Sequence, residues 1–219
     1  MAKRVAFIHT VAGLAATFKT LSEEFIPSAD CFHMVDESLL QNTIRANKLS
    51  RATMRRLAGM LASAQEAGAE VVMVTCSSLG PAVEAARALV DIPVLRVDQA
   101  MARQAVQMGA RVGVAATLRT TLEPTTELVK AQARAAGKDV EVIPRLCEGA
   151  FEAVMTGDTA THDRIVSEGL RDLMDQCDVI VLAQASMARV VDGLSEDERR
   201  VPVLSSPRLG MADLADAMQ

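Results

Sequence analysis

The stretches EVVMVTCSS (70–78) and DVIVLAQAS (178–186) share one design: an acidic residue, a short β-branched and apolar run, then an abrupt stop on small polar residues. Runs of this length and composition read as buried strands. The likeness extends beyond them. RVAFIHT (4–10) is matched by RVGVAAT (111–117), and PVLRVD (93–98) by VPVLSSP (201–207). The offset is 107 from Thr10 to Thr117, 108 from Cys76 to Gln184 and 109 from Pro93 to Pro202. Near-constant offsets at three landmarks point to an internal duplication. The chain is thereby limited to folds that can be built twice.

Strand-like and helix-like segments alternate, which argues for parallel sheet with helices on both faces. In the first half the pattern predicts strands at 4–10 and 29–36 and a long helix near 41–67 stopped by Gly68. A strand at 70–75, a helix at 81–90, a strand at 93–98 and a helix at 99–108 follow. The second half predicts a strand at 111–117, a helix at 121–136 ending at Gly137 and a strand at 140–145. Then come helices near 148–155 and 161–175, strands at 178–183 and within 201–207, and a helix at 208–218. The fold class is α/β, with two pseudo-symmetric parallel-sheet domains: 1–98 plus 205–219, and 99–204.

Composition narrows the function classes. The 219 residues include five Phe but no Trp or Tyr, and the net charge is -5. A chain without stacking aromatics or a basic surplus is a poor nucleic-acid binder. The cationic residues from Arg45 to Arg56 place Arg45, Lys48, Arg51 and Arg55 at helical spacing, which reads as one solvated face. No signal-peptide h-region and no run of membrane-spanning length is present, so no membrane partner is expected. Cys31, Cys76, Cys147 and Cys177 are scattered, and His9, His33 and His162 share no metal-ligand spacing with them. A reduced, cytoplasmic protein with no metal is the expectation.

Ligands of parallel α/β sheets sit at the C-terminal ends of the strands. Four such ends are polar here: His9-Thr10, Thr75-Cys76-Ser77-Ser78, Thr117, and Gln184-Ala185-Ser186. Were the halves to face each other, these ends would converge on one cleft. Cys76 precedes a helix start, whose unpaired N–H groups stabilise a thiolate and lower its pKa. Its neighbours Thr75, Ser77 and Ser78 all carry hydroxyls, which a core cysteine would not need. The other three cysteines read as small core residues. Hydroxyls and helix N–H groups make a carboxylate cradle, and ATLRTT (116–121) offers a second one through Thr117 and Thr120. No GxGxxG, GxxxxGK or GxSxG motif is present.

On these residues the chain resembles the aspartate/glutamate racemase superfamily, which includes hydantoin racemases. VTCSS matches the first cysteine loop, GVAATLRT the A-T-x-x-T turn, and LAQAS occupies the second loop, usually G-C-T. GAFEAVMTGDTATHD (149–163) is similar to the hydantoin-racemase branch. The resemblance implies two pseudo-symmetric α/β domains with the active site between them, no cofactor, a small carboxylate substrate, and often a homodimer. It implies an isomerase in which two cysteines flank the substrate α-carbon. Cys76 takes the first of these positions. Thr75, Ser77, Ser78, Thr117 and Thr120 would hold the carboxylate, with Thr10 and Ser186 beside them.

Gln184 departs from the pattern. A carboxamide hydrogen-bonds but neither takes nor gives a proton near neutral pH. His9 has an unperturbed pKa suited to proton transfer, although a lone histidine at a strand end is more often structural. Two alternatives to racemisation follow. One is a single-cysteine decarboxylase or cis–trans isomerase of a small diacid. The other is a carboxylate-binding protein without turnover. In arylmalonate decarboxylase the retained cysteine belongs to the second loop, whereas this chain keeps the first.

Overall fold

Each half of the chain builds its own four-stranded parallel sheet, as seen in a computed structural model that describes residues 2–218. The first sheet contains β1 (Arg4–His9), β2 (Asp30–Val35), β3 (Val71–Val74) and β4 (Val94–Arg96), in the order β2-β1-β3-β4. The second contains β5 (Arg111–Ala116), β6 (Glu141–Leu146), β7 (Val179–Leu182) and β8 (Val203–Ser205), in the order β6-β5-β7-β8. Registers repeat as well as order. Arg4 pairs with Asp30 as Arg111 pairs with Glu141, and Val5 with Val71 as Val112 with Val179. The chain divides into two compact units, one running to Asp98 and resuming at Pro207, the other Gln99–Ser206.

The strand starts carry a duplicated device. The backbone N–H of Arg4 donates to the Glu70 carboxylate at 2.9 Å, and that of Arg111 to the Asp178 carboxylate at 2.8 Å. Glu70 and Asp178 each return their own N–H to the arginine carbonyl at 2.8 Å. The acidic residue heading each third strand is thus what sets the register of the central pair.

Both faces of the sheets are covered, so the strands are apolar throughout rather than alternating. In the first unit Ala6, Ile8, Val72 and Val74 pack on α3 (Arg51–Glu66) through Leu57 and Leu61, and on α4 (Gly80–Ala86) through Val83. The opposite face, Val5, Phe7, Val71 and Met73, packs on Phe18 of α1 (Gly13–Phe25) and on Met211 and Leu214 of α10 (Ser206–Ala217). In the second unit Ala115, Ile180 and Leu182 meet Val166, Leu170 and Leu173 of α8 (Thr159–Met174). That unit also holds α5 (Gln99–Met108), α6 (Arg119–Ala135), α7 (Ala150–Met155) and α9 (Ala188–Asp192). No helix of the described residues is long and apolar enough to cross a membrane.

Three local expectations need correction. The long helix near 41–67 is two helices, α2 (Glu37–Ala46) and α3. Asn47 turns left-handed at φ 47°, and Ser50 restarts the helix by accepting the Thr53 N–H. Arg45 therefore lies on a different helix from Arg51 and Arg55, and the cations do not form one helical face, though all are exposed. Finally, α1 and α9 were not expected from the pattern. The signal for α1 was present in the spacing of Leu14, Phe18 and Leu21.

Candidate active site

Within each sheet the chain first steps from the inner strand to one edge, then returns to build on the other side. The order reverses between β1 and β3, and again between β5 and β7. Such a switch point opens a crevice at the carboxyl ends of the strands, where open α/β sheets bind ligands. Thr10 and Cys76 follow β1 and β3, and Thr117 and Gln184 follow β5 and β7. The two polar pairs thus occupy equivalent places in the two units.

Around Cys76 the first unit supplies donors from several directions. A one-turn 3₁₀ helix, Ser77–Leu79, begins directly after it, with Cys76 as its cap residue. The backbone N–H groups of Ser78 and Leu79 and the Thr10 hydroxyl are hydrogen-bonded to the sulfur, and all three favour the thiolate. Burial outweighs them and pushes the Cys76 thiol up, with the Asp98 carboxylate adding in the same direction. The expectation of a lowered thiol pKa is therefore corrected. The neutral thiol is thereby favoured, with contacts in place that would hold its conjugate base. The other thiols are also pushed up chiefly by burial, Cys147 to about 11.

Thr75 has a different part from the one expected of it. Its hydroxyl lies 3.1 Å from the Ile8 carbonyl and 2.8 Å from His9 Nδ1. A carbonyl only accepts, so Thr75 donates there and must accept from His9. No proton remains on Thr75 for a carboxylate. The same reasoning fixes His9 as the Nδ1–H tautomer. Its Nε2 then accepts from His33 Nδ1 at 2.9 Å. His9 is fully buried and stacked on Phe7, and burial together with the His33 charge lowers its pKa to about 4. With both nitrogens engaged, His9 braces the ends of β1 and β3 and is not a proton-transfer group.

The sequence reading missed Arg96 and Asp98. Asp98 is fully buried and Arg96 nearly so, and they form a two-pronged ion pair at 3.0 and 2.9 Å. Gly80 makes room for it: a Cβ there would fall 2.3 Å from the guanidinium carbon. The signal was the pattern Arg-Val-Asp, two opposite charges on one face of an otherwise apolar strand. Ser77 and Ser78 are buried beside Cys76.

In the second unit Gln184 spends both ends of its amide on Thr117. The Thr117 N–H donates to Oε1 at 2.6 Å, and Nε2 donates to the Thr117 hydroxyl at 2.7 Å. Thr120 lies on the first turn of α6, its hydroxyl oxygen buried and without a hydrogen-bond partner among the described residues. Ser186 is exposed in the 3₁₀ turn that follows Gln184. Among the described residues no group of three or more His, Cys, Asp or Glu is placed to hold a metal ion.

Comparison with known proteins bears on this arrangement. The Asp/Glu/hydantoin racemase family matches residues 10–214. Glutamate racemase RacE1 from Bacillus anthracis shares the fold with TM-score 0.79 and 16% identity, covering 99% of this chain and 82% of that one. A putative Asp/Glu racemase from Yersinia pestis does so with TM-score 0.77 and 16% identity, covering 99% and 100%. The allantoin racemase of Klebsiella pneumoniae gives TM-score 0.68 and 18% identity over 99% and 87%. No curated protein matches the sequence.

Proposed function

The chain belongs to the Asp/Glu/hydantoin racemase family, and we propose that it is a cofactor-independent isomerase-like enzyme moving a proton at the α-carbon of a small carboxylate, with Cys76 as the acid/base group. The observation that carries this reading is the Thr10–Cys76 pair at the β1/β3 switch point, with two backbone N–H groups on the same sulfur.

The chemistry follows from the resting state of the thiol. When the S–H bond breaks, its proton goes to the carbanion carbon, whose electron pair becomes the new C–H bond. The sulfur keeps the S–H pair as a thiolate, held by Thr10, Ser78 and Leu79. In reverse, that thiolate takes the α-proton and the electrons pass into the substrate's carboxylate as an enediolate. Ser77 beside Cys76 is the hydroxyl this reading gives to the carboxylate in the first unit, and Thr117 and Thr120 are those the second unit offers. Stabilising the developing oxyanion with preorganised donors is the larger share of such catalysis.

Gln184 carries no transferable proton, so this reading has one thiol for the proton transfer. Exchange of the α-proton with retention, or protonation of a carbanion from one face, suits this arrangement better than rapid inversion. That observation favours a second reading, a single-cysteine decarboxylase acting on an activated malonate.

An NMR screen of amino acids, hydantoins, malonates and maleate in D₂O tests both readings. Deuterium at one carbon, in one configuration, is the expected product, and Cys76→Ala and Cys76→Ser are expected to abolish its formation. Undiminished turnover in Cys76→Ala would sink the proposal. Tight carboxylate binding with no exchange, inversion, isomerisation or CO₂ release would make the protein a carboxylate binder instead.

A further inference from the structure

We propose that Gln184 is a positioning residue: it commits the hydroxyl proton of Thr117 to a bound carboxylate, so that the second unit acts as an anion receptor where a second acid/base group would otherwise stand. The inference builds on the proposed function above, since it assumes a carboxylate ligand.

The argument is one of hydrogen-bond polarity. A backbone N–H only donates, so the Gln184 atom 2.6 Å from the Thr117 nitrogen must be the carbonyl oxygen. The amide is thereby oriented, and the atom 2.7 Å from the Thr117 hydroxyl is the NH₂ group, which only donates. The hydroxyl oxygen of Thr117 therefore accepts, and its own proton points away from Gln184. Thr117 is 5% exposed, and no acceptor for that proton is present among the described residues. A buried donor without an acceptor costs free energy until a ligand supplies one.

The surroundings share that polarity. Thr117 stands one residue before Leu118, the cap residue of α6, which offers no side-chain cap to the first N–H groups of this 17-residue helix. The first turn of α6 holds no acidic residue. The buried Thr120 hydroxyl on that turn has no partner either. Helix N–H groups and two hydroxyl protons with no acceptor make a receptor for a carboxylate.

The equivalent pair in the first unit has the opposite sense. There the Thr10 hydroxyl favours the sulfur of Cys76 as a thiolate and so spends its proton within the unit. Replacing a thiol by a carboxamide turns the threonine proton outward.

Titration with malonate, followed by amide NMR of residues 117–120, tests the role of Gln184, with uncharged malonamide as the control. Malonate is expected to shift these amides saturably and malonamide is not. Gln184→Met should weaken malonate about tenfold, the effect of one misdirected hydrogen bond to a charged group. Gln184→Glu should weaken it more, because the carboxylate claims the Thr117 proton and repels the ligand. In a Thr117→Val background, Gln184→Met should have no further effect, whereas a merely structural role would give the same loss in either background. Unchanged binding in Gln184→Met, equal losses in both backgrounds, or no malonate response at 117–120 in the parent would each overturn the inference. The readout is independent of Cys76 turnover, so failure of the catalytic proposal remains distinguishable.

Discussion

The Thr10 hydroxyl is hydrogen-bonded to the sulfur of Cys76 across the ends of two neighbouring strands. Thr117 and Gln184 form the counterpart, 107 and 108 residues further on. The threonine and its geometry recur in the second unit, while the chemistry of its partner differs. One pair stabilises a thiolate and the other directs a hydroxyl proton. The two units are alike in topology and register yet unlike in what their strand ends can do.

The resting state of Cys76 is directly measurable. Burial keeps the thiol above its ordinary value, so alkylation by iodoacetamide should be slow at pH 7 and accelerate only in the alkaline range. Mass-spectrometric labelling rates from pH 6 to pH 10 check this. Thr10→Val removes one contact that favours the thiolate and should move the profile to still higher pH. Fast labelling at pH 6 would show a standing thiolate and contradict the proton-donor role.

His9 should make the first unit sensitive to acid. Its pKa falls from 6.5 to about 4 in the folded chain, so between these values the unfolded state binds more protons. Stability therefore declines as pH drops from about 6.5 toward 4 and levels off below, by on the order of 3 kcal/mol. The structural reasons are burial first, and second that a proton on His9 Nε2 would face the His33 Nδ1–H now donated to it. Urea denaturation across this range checks the slope. His9→Gln should flatten it, whatever its effect on stability at pH 7.

Asp178 provides a second acid-sensitive point in the other unit. Its carboxylate accepts from the backbone N–H groups of Ala110 and Arg111 and from the Arg111 guanidinium, and these bonds hold its pKa below the usual range, led by the Arg111 N–H. This contribution is present above the ordinary aspartate value and is lost as pH falls through the lowered one. Asp178→Asn keeps the shape but loses the charge. It should lower Tm and remove this part of the acid dependence, as read by thermal scans at pH 3 and pH 7.

Much of this was legible in the residues. The near-constant offsets among Thr10, Cys76 and Pro93 and their counterparts carried the two-fold repeat of the α/β layout, because parallel strands buried on both faces leave conspicuous apolar runs. The cysteine loop was legible because a hydroxyl-rich stop is unusual after such a run. What stayed hidden depended on partners far apart in sequence. Thr75 looked like a ligand-binding hydroxyl until Ile8 and His9 claimed both its roles. The helix N–H groups on Cys76 were foreseeable, but whether burial outweighs them is a property of packing. The break at Asn47 was local, yet the helical spacing on either side of it concealed the stop. Gln184 showed only what it could not do.

Gly80 connects backbone packing to the site. Its φ of -47° suits any residue, so the constraint is space and not conformation. A Cβ at this position would lie 2.3 Å from the Arg96 guanidinium carbon and 2.7 Å from Nη1. Gly80→Ala must therefore displace the guanidinium, and it is expected to weaken the pairing of Arg96 with the fully buried Asp98. Breaking a buried ion pair from one side costs about 3–5 kcal/mol. The contrast is Gly59, exposed inside α3, where an added Cβ would meet nothing within 4 Å and alanine should stabilise by about 1 kcal/mol through helix propensity. Chemical denaturation of the two variants side by side separates these effects. Because the Asp98 charge already raises the Cys76 thiol, Gly80→Ala should also slow alkylation of Cys76 at pH 8, while Gly59→Ala leaves it unchanged. Equal stability losses at both glycines, or unaltered Cys76 labelling in Gly80→Ala, would show that Arg96 relaxes without exposing Asp98.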